Sequence, residues 1–328
     1  MSKIITVTLN PSLDRTLFVH HLAEGYRNTV ADTTRIDPAG RGVNVSRALH
    51  AMDSQTHAVI LLGRDAIGRA YQALVEEEAI NTTLVRCKGL TRSNIIIFDS
   101  GNHHETQIIE EAENPNHDES DTEAIVHSIL KIAEVGDTVC LSGVLPRGVP
   151  VDIYSTIMQA VKAVGAKTVL AADGIALEVG LKSNPDFIAL RNHELEAFFN
   201  FPVRTQNDVI YSARKLSERS GGSMILVAHH EMQYGLITNE TTGWVADIPP
   251  AEEDGAAEGT TSGVQDAFLA GFLSHYRVND DIANALKWAM ACAMFTRAKA
   301  GNEFGKPDDM QPYFDMLELS ELSHTVSS

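Results

Sequence analysis

T-V-C-L-S-G-V-L-P-R-G-V-P-V-D-I-Y-S-T-I-M-Q-A-V-K-A-V-G-A-K-T-V-L-A-A-D, residues 138 to 173, holds the pattern that decides the fold. TVCLSG (138–143) is a short apolar run closed by glycine, which reads as a buried strand. DIYSTIMQAVKAV (152–164) places apolar residues at helical spacing, and KTVLAAD (167–173) returns to a strand pattern. Strand, crossover helix and strand make the unit from which parallel sheets are built. Outward from this unit the alternation continues. Strands are expected at IITVTL (4–9, ended by Asn10-Pro11), HAVILLG (57–63), NIIIFD (94–99), DFIAL (186–190) and MILVAH (224–229). Helices are expected at 43–52, 66–79, 120–135 and 209–220, with a pair running from 266 to 298. The fold class is therefore α/β, a Rossmann-like, mostly parallel sheet flanked by helices on both faces.

Two segments break the alternation. Residues 12–36 (TLFVHH, NTVADTTRI) and 91–109 (SNIIIFD, ETQIIE) look like antiparallel strand pairs where a doubly wound sheet wants helices. They are expected to form a small β-sheet lid. Residues 1–11, 37–90 and 110–328 are expected to form the main domain. Ligands of open α/β sheets sit beyond the carboxyl ends of the strands, where a lid covers them.

The chain has 328 residues, 44% of them hydrophobic, ample for a large core. Its formal net charge of −18 opposes a nucleic-acid or anionic-membrane surface, which needs clustered Lys and Arg. The absence of an 18-residue apolar run and of an N-terminal apolar signal region gives the expectation of a soluble, cytoplasmic protein without a membrane partner. Cys87, Cys140 and Cys292 are too few and too widely spaced for a disulfide framework or zinc knuckle, and a reducing compartment fits them. The pairs His20-His21, His103-His104 and His229-His230 lack zinc-ligand spacing, and Trp288, Met290 and Met294 fall at the helical spacing of core residues.

Three motifs carry the chemistry. In NPSLDRT (10–16), Asp14 at a strand's carboxyl end suits sugar hydroxyls, although a turn or cap role explains it equally. In DPAGRGVNVSRAL (37–49), Gly40 and Gly42 flank Arg41 just before a helix, which offers close backbone approach, unpaired N–H groups and a full positive charge to an anion. An ordinary glycine loop reads the same way locally. In GVQDAFLAGF (263–272), Asp266 sits in a helix's first turn, where the macrodipole favours a carboxylate whatever its function. Phosphoryl transfer wants such an acid to accept the proton of the attacking hydroxyl, beside backbone N–H groups that hold the transferring charge.

With these motifs in this order, and with TRSN (91–94) and LSGVLPRGVP (141–150) between them, the chain resembles the phosphofructokinase B (ribokinase-like) family of sugar kinases over nearly its whole length. The likeness is to its 1-phosphofructokinase and tagatose-6-phosphate kinase branch. The resemblance implies an ATP-dependent phosphosugar kinase that uses Mg²⁺ carried with the nucleotide, acts on a ketohexose phosphate, and pairs through its lid into a homodimer. It assigns Asp14 to sugar hydroxyls, and Gly40, Arg41 and Asn44 to the substrate's sugar and phosphate. Arg92 and Asn94 add lid contacts, and Asp266 is the general base. Arg41 stands where the family usually has Lys; it keeps the charge and grips phosphate bidentately.

The nucleotide side departs from the pattern. The family's K-P-N-x-x-E is A-L-R-N-H-E at 189–194: Glu194 remains, while Ala189 and Arg191 replace Lys and Asn. Its S-x-G-x-x-G aligns with A-H-H-E-M-Q at 228–233. Its anion hole G-A-G-D is Gly263, Val264, Gln265 and Asp266, and a side chain at the second glycine position can restrict φ or fill the phosphate's space. Just upstream, residues 251–259 hold four acids and no cation. This asymmetry sets beside the kinase reading a second one, a catalytically impaired sugar-phosphate sensor, and a third, a kinase with a different phosphoryl donor.

Overall fold

The structure is a computed structural model that describes residues 2–30, 34–102, 104–111, 117–229, 231–248, 261–279, 281–299 and 302–322. His103, His230 and the acidic stretch 251–259 lie outside the described residues. The large sheet has ten strands: β1 (Ile4–Thr8), β4 (Thr56–Gly63), β5 (Thr82–Cys87), β8 (Thr138–Ser142), β9 (Lys167–Ala171), β10 (Phe187–Arg191), β11 (Met224–Ala228), β12 (Tyr234–Thr238), β13 (Gly243–Asp247) and β14 (Glu318–Glu321). Their spatial order is β14-β13-β12-β11-β10-β9-β8-β1-β4-β5. All pairings from β5 to β11 are parallel, and β12, β13 and β14 are added antiparallel.

The strand–helix–strand unit of residues 138–173 forms as expected, with β8 and β9 parallel from Thr138↔Lys167 to Ser142↔Ala171 and α4 (Ile153–Ala163) between them. From β1 the chain steps outward to β4 and β5, then returns to build β8, β9, β10 and β11 on the other side. The β1–β8 junction is thus the topological switch point, where carboxyl ends open a crevice.

Alternation along β1 divides the core between two faces. Ile5 and Val7 point into a cluster with Ile153, Ile157 and Leu216, while Ile4 faces Val45, Phe268, Phe272 and Met290. The second face is covered by α1 (Arg41–Ala51), α8 (Val264–Asn279), α9 (Ile282–Arg297) and α10 (Pro307–Met316). Met290 is fully buried, Met294 and Trp288 pack against the same cluster, and all three cysteines are buried and free. Among the described residues, no helix is long and apolar enough to cross a membrane.

Four strands form a separate sheet in the order β3-β2-β6-β7: β2 (Ser12–Val19), β3 (Arg35–Ala39), β6 (Arg92–Asp99) and β7 (His104–Ile108). The β2–β3 and β6–β7 pairs are antiparallel, and β2 joins β6 in parallel. One face carries Asp14 and Asn94, both buried; the other shows the exposed cross-strand row Ile36, Arg15, Ile95 and Ile108.

Candidate active site

Helix α1 is set directly against the end of β1. Gly40, its N-cap, has φ 128°, and a Cβ there would lie 2.8 Å from Thr8 Cγ2 and 3.1 Å from Pro11 Cα. A Cβ on Gly42 would meet the Val7 carbonyl oxygen at 2.8 Å. Both positions therefore demand glycine, and that close approach fixes Arg41 at the first helical position. Gly143, at the end of β8 with φ 101°, lies against the Arg41 side chain.

Arg41 joins two carboxylates. Its Nε is 3.6 Å from Asp266 Oδ1, and its Nη1 is 3.8 Å from Glu194 Oε1. Asn44, one turn along α1, donates from Nδ2 to Asp266 Oδ2 at 2.8 Å. Burial pushes the Asp266 carboxyl up to about 6, against the opposing pull of Arg41 and Asn44. A base poised near neutrality suits abstraction of a hydroxyl proton. For Glu194 burial acts in the same upward direction, but Arg41, Arg191 and the Arg191 backbone N–H together outweigh it and hold the carboxyl below its ordinary value.

The turn before α8 enters the helix from a left-handed glycine. Gly263 has φ 71°, and the helix begins at Val264. A left-handed residue followed by right-handed ones aims successive N–H groups into one concavity, where a first helical turn leaves them without helical partners. Val264 is buried in the core beside Phe268 and Met232, so it does not fill that concavity. Gln265 turns away to Glu194, its Nε2 lying 3.5 Å from Oε2. A Cβ on Gly263 would come within 2.8 Å of Asn302 Oδ1.

Beside Arg41 opens a cavity of about 330 Å³, lined by Asn10, Arg92, Glu110, Ser142, Gly143 and Arg147 among others. Arg92, from β6, donates to the Asn10 carbonyl at 3.4 Å, and its buried Nε has no hydrogen-bond partner. A buried cation with spare donors is arranged for an anionic ligand. Asp14 accepts from Ser12 Oγ and Asn94 Nδ2, both at 2.7 Å, and burial raises its carboxyl despite those bonds and Arg92. The small sheet also reaches the turn before α8: Gln107 donates to Ser262 Oγ at 3.2 Å, and Thr261 donates to Glu105 Oε1 at 3.1 Å.

The profile described as pfkB family carbohydrate kinase matches residues 7–309. The chain belongs to this family. It is similar to the 1-phosphofructokinase of Bacillus subtilis (30% identical over 271 residues, 83% of this chain and 84% of that one). It is also similar to the tagatose-6-phosphate kinase of Staphylococcus epidermidis (26% over 331 residues, 97% and 100%). In fold it matches phosphofructokinase-2 from Escherichia coli in complex with potassium, with a TM-score of 0.85 at 21% identity over 96% of this chain and 99% of that one.

Within the pfkB pattern, one network joins Arg41, Asn44, Glu194, Gln265 and Asp266, and Gly40 and Gly263 shape its backbone. Asp14, Asn94 and Arg92 come from the small sheet. Arg147 joins Arg41 and Arg92 at the cavity although the sequence reading assigned it no role; its only signal was its place inside LSGVLPRGVP. The divergent 228–233 stretch begins with the last residue of β11 and ends just before β12, with His230 outside the described residues. There Met232 N bonds to the His229 carbonyl at 2.9 Å, and Met232, at φ 56°, takes a left-handed conformation that glycine adopts without steric cost.

A magnesium ion coordinated directly by Glu194 does not fit the bonds that carboxylate already makes. Glu194 accepts from Arg191 Nε (3.0 Å), Nη2 (2.7 Å) and N (2.7 Å) and from Gln265, which uses the four lone-pair directions of a carboxylate. Among the described residues no group of three His, Cys, Asp or Glu is placed to hold a metal. A magnesium ion that arrives on donor phosphates keeps mostly water and phosphate ligands and makes no such demand.

Proposed function

We propose that the chain is an ATP-dependent kinase of a ketohexose phosphate, like the 1-phosphofructokinases it resembles. The observation that carries this reading is Asp266, a buried carboxyl lifted to about 6 at the phosphate-type turn of α8 and held by Arg41, which also lines the substrate cavity. The sugar's phosphate is bound by Arg41, Arg92 and Arg147, with Gly40 giving backbone access. Asp14, Asn44 and Asn94 orient hydroxyls. Asp266 takes the proton of the attacking hydroxyl as its oxygen bonds to the transferred phosphorus. The donor supplies the phosphoryl group and leaves with the electrons of the broken P–O bond. The backbone N–H groups after Gly263 stabilise the charge on that group.

The division expected from the sequence belongs to this proposal. Residues 12–36 and 91–109, with the remainder of β3 to Ala39, act as a lid on the main domain, and contacts of Glu105 and Gln107 with Thr261 and Ser262 support closure over the donor turn. The exposed row of Ile36, Arg15, Ile95 and Ile108 supports homodimer formation through the lid's outer face. Three buried, unpaired thiols are compatible with a cytoplasmic setting.

Titration calorimetry with fructose 1-phosphate, fructose 6-phosphate and tagatose 6-phosphate, together with an ADP-coupled turnover assay, tests the reading. Turnover of at least one is expected; binding of a sugar phosphate with no turnover would overturn it.

A further inference from the structure

Arg191 occupies a position that the kinase chemistry has not yet used. It closes β10 at the sheet's carboxyl edge, its side chain is 38% exposed, and its Nε and Nη2 hold Glu194 Oε1 at 3.0 and 2.7 Å. Its third nitrogen, Nη1, makes no hydrogen bond among the described residues. Glu194 in turn lies 3.8 Å from Arg41 and 3.5 Å from Gln265 in the first turn of α8. Two guanidinium groups therefore share one saturated carboxylate beside the turn that receives the donor's phosphates. Counted as charges, Arg191, Arg41 and Glu194 leave one net positive charge, which the ionised Asp266, 3.6 Å from Arg41, offsets until it takes up the acceptor's proton. This charge is fixed to the protein, where a divalent ion would have to be recruited to a carboxylate with free lone pairs.

We propose that Arg191 is a donor-binding residue: it grips the phosphoanhydride chain of the donor and supplies there the positive charge for which a magnesium ion anchored at Glu194 has no room, while Arg41 stays with the sugar's phosphate. The proposal rests on the kinase reading and deepens it. Donor phosphates are recognised by a planar fork held rigid by Glu194, which spends little entropy on each hydrogen bond formed. Binding of the donor then depends far less on a divalent cation than it would if the ion were its main anchor.

The test titrates ATP, and separately inorganic tripolyphosphate, into the full chain, with excess Mg²⁺ or with EDTA. The wild-type Kd for ATP is expected to agree within about threefold between the two conditions. Arg191→Asn is expected to weaken ATP and tripolyphosphate binding in EDTA by about tenfold or more, the loss of charge-assisted hydrogen bonds. Arg191→Lys, which keeps the charge but not the fork, falls between. Sugar-phosphate affinity and Tm of the variants report whether the fold is kept. Wild-type ATP binding that requires Mg²⁺, or an Arg191→Asn variant that binds as wild type in EDTA, overturns the proposal. If turnover with Mg²⁺-ATP persists in that case, the kinase reading stands; if ATP binds under neither condition, both fall.

Discussion

Replacing Asn44 with leucine lowers activity through the lost hydroxyl contact, but it also shifts the titration of the base, and that shift is the readout. Asn44 Nδ2 donates to Asp266 Oδ2 at 2.8 Å, which favours the ionised carboxylate and opposes the effect of burial. Its own Oδ1 is buried without a hydrogen-bond partner, so leucine breaks one bond and strands no other group. A hydrogen bond to a charged group is worth about 1.5–3 kcal/mol, and 1.36 kcal/mol moves a pKa by one. The carboxyl of the variant should therefore titrate about one pH unit higher than the wild type's. In the proposed mechanism, kcat/KM falls on the acid side as Asp266 takes up a proton, with a midpoint near about 6 in the wild type. In Asn44→Leu that midpoint should move to about 7 or above.

The substrate's phosphate also titrates near about 6, but its ionisation does not move with position 44. The displacement, not the midpoint, identifies the group. Stability gives a second readout. The folded carboxyl sits above its ordinary value of 3.8, so the native state binds this proton more tightly than the unfolded chain does. The contribution is fully present below 3.8 and is lost as pH rises through about 6; it amounts to about 3 kcal/mol. In Asn44→Leu the loss should extend to higher pH. Rates measured from pH 5 to 9, with thermal melts over the same range, supply both curves. An acid limb that stays in place, or that moves down, would refute Asp266 as the titrating base.

Other substitutions probe the remaining parts. Arg92→Met should weaken sugar-phosphate binding by about tenfold to a hundredfold and leave ATP affinity unchanged, as read by calorimetry. Gly263→Ala must force a Cβ within 2.8 Å of Asn302 Oδ1 at φ 71°, and should lower kcat by about a hundredfold, whereas Val264→Ala, which trims only a core side chain, should alter kcat by less than about threefold. Ile95→Asp on the exposed face of the small sheet should convert a dimer to a monomer in sedimentation velocity; a variant that sediments like the wild type would remove that face from the assembly.

Much of the architecture was legible because short, largely apolar runs such as TVCLS and KTVLA are buried on both faces, which parallel strands between two helical layers require. Strand β5 escaped the reading because TTLVRC mixes Thr82, Thr83 and Arg86 with its apolar residues, as an edge strand can. The β12–β13 hairpin escaped as well, since YGLIT and GWVAD are short and contain glycine. Helix α10 carries Pro312 inside it, which argues locally against a helix.

At the site, residue types at Asp14, Arg41, Asn44, Arg92, Asn94 and Asp266 were readable because each lies in a local motif. The gathering of Arg147 with Arg41 and Arg92 was not, since only tertiary structure brings residues so far apart to one cavity. Nor does sequence tell which way a side chain at a turn points. Val264 enters the core and Gln265 reaches Glu194, directions that residue type alone does not set.

The most direct test of the account is turnover by Asp266→Asn beside its affinity for the sugar phosphate that the wild type uses. Asparagine keeps the size of the side chain and cannot accept the hydroxyl's proton at neutral pH. The account predicts a fall in kcat of about a thousandfold or more, with sugar-phosphate Kd within about threefold of wild type. A variant that turns over as fast as the wild type, or a wild type that binds sugar phosphate and never transfers to it, would contradict the account.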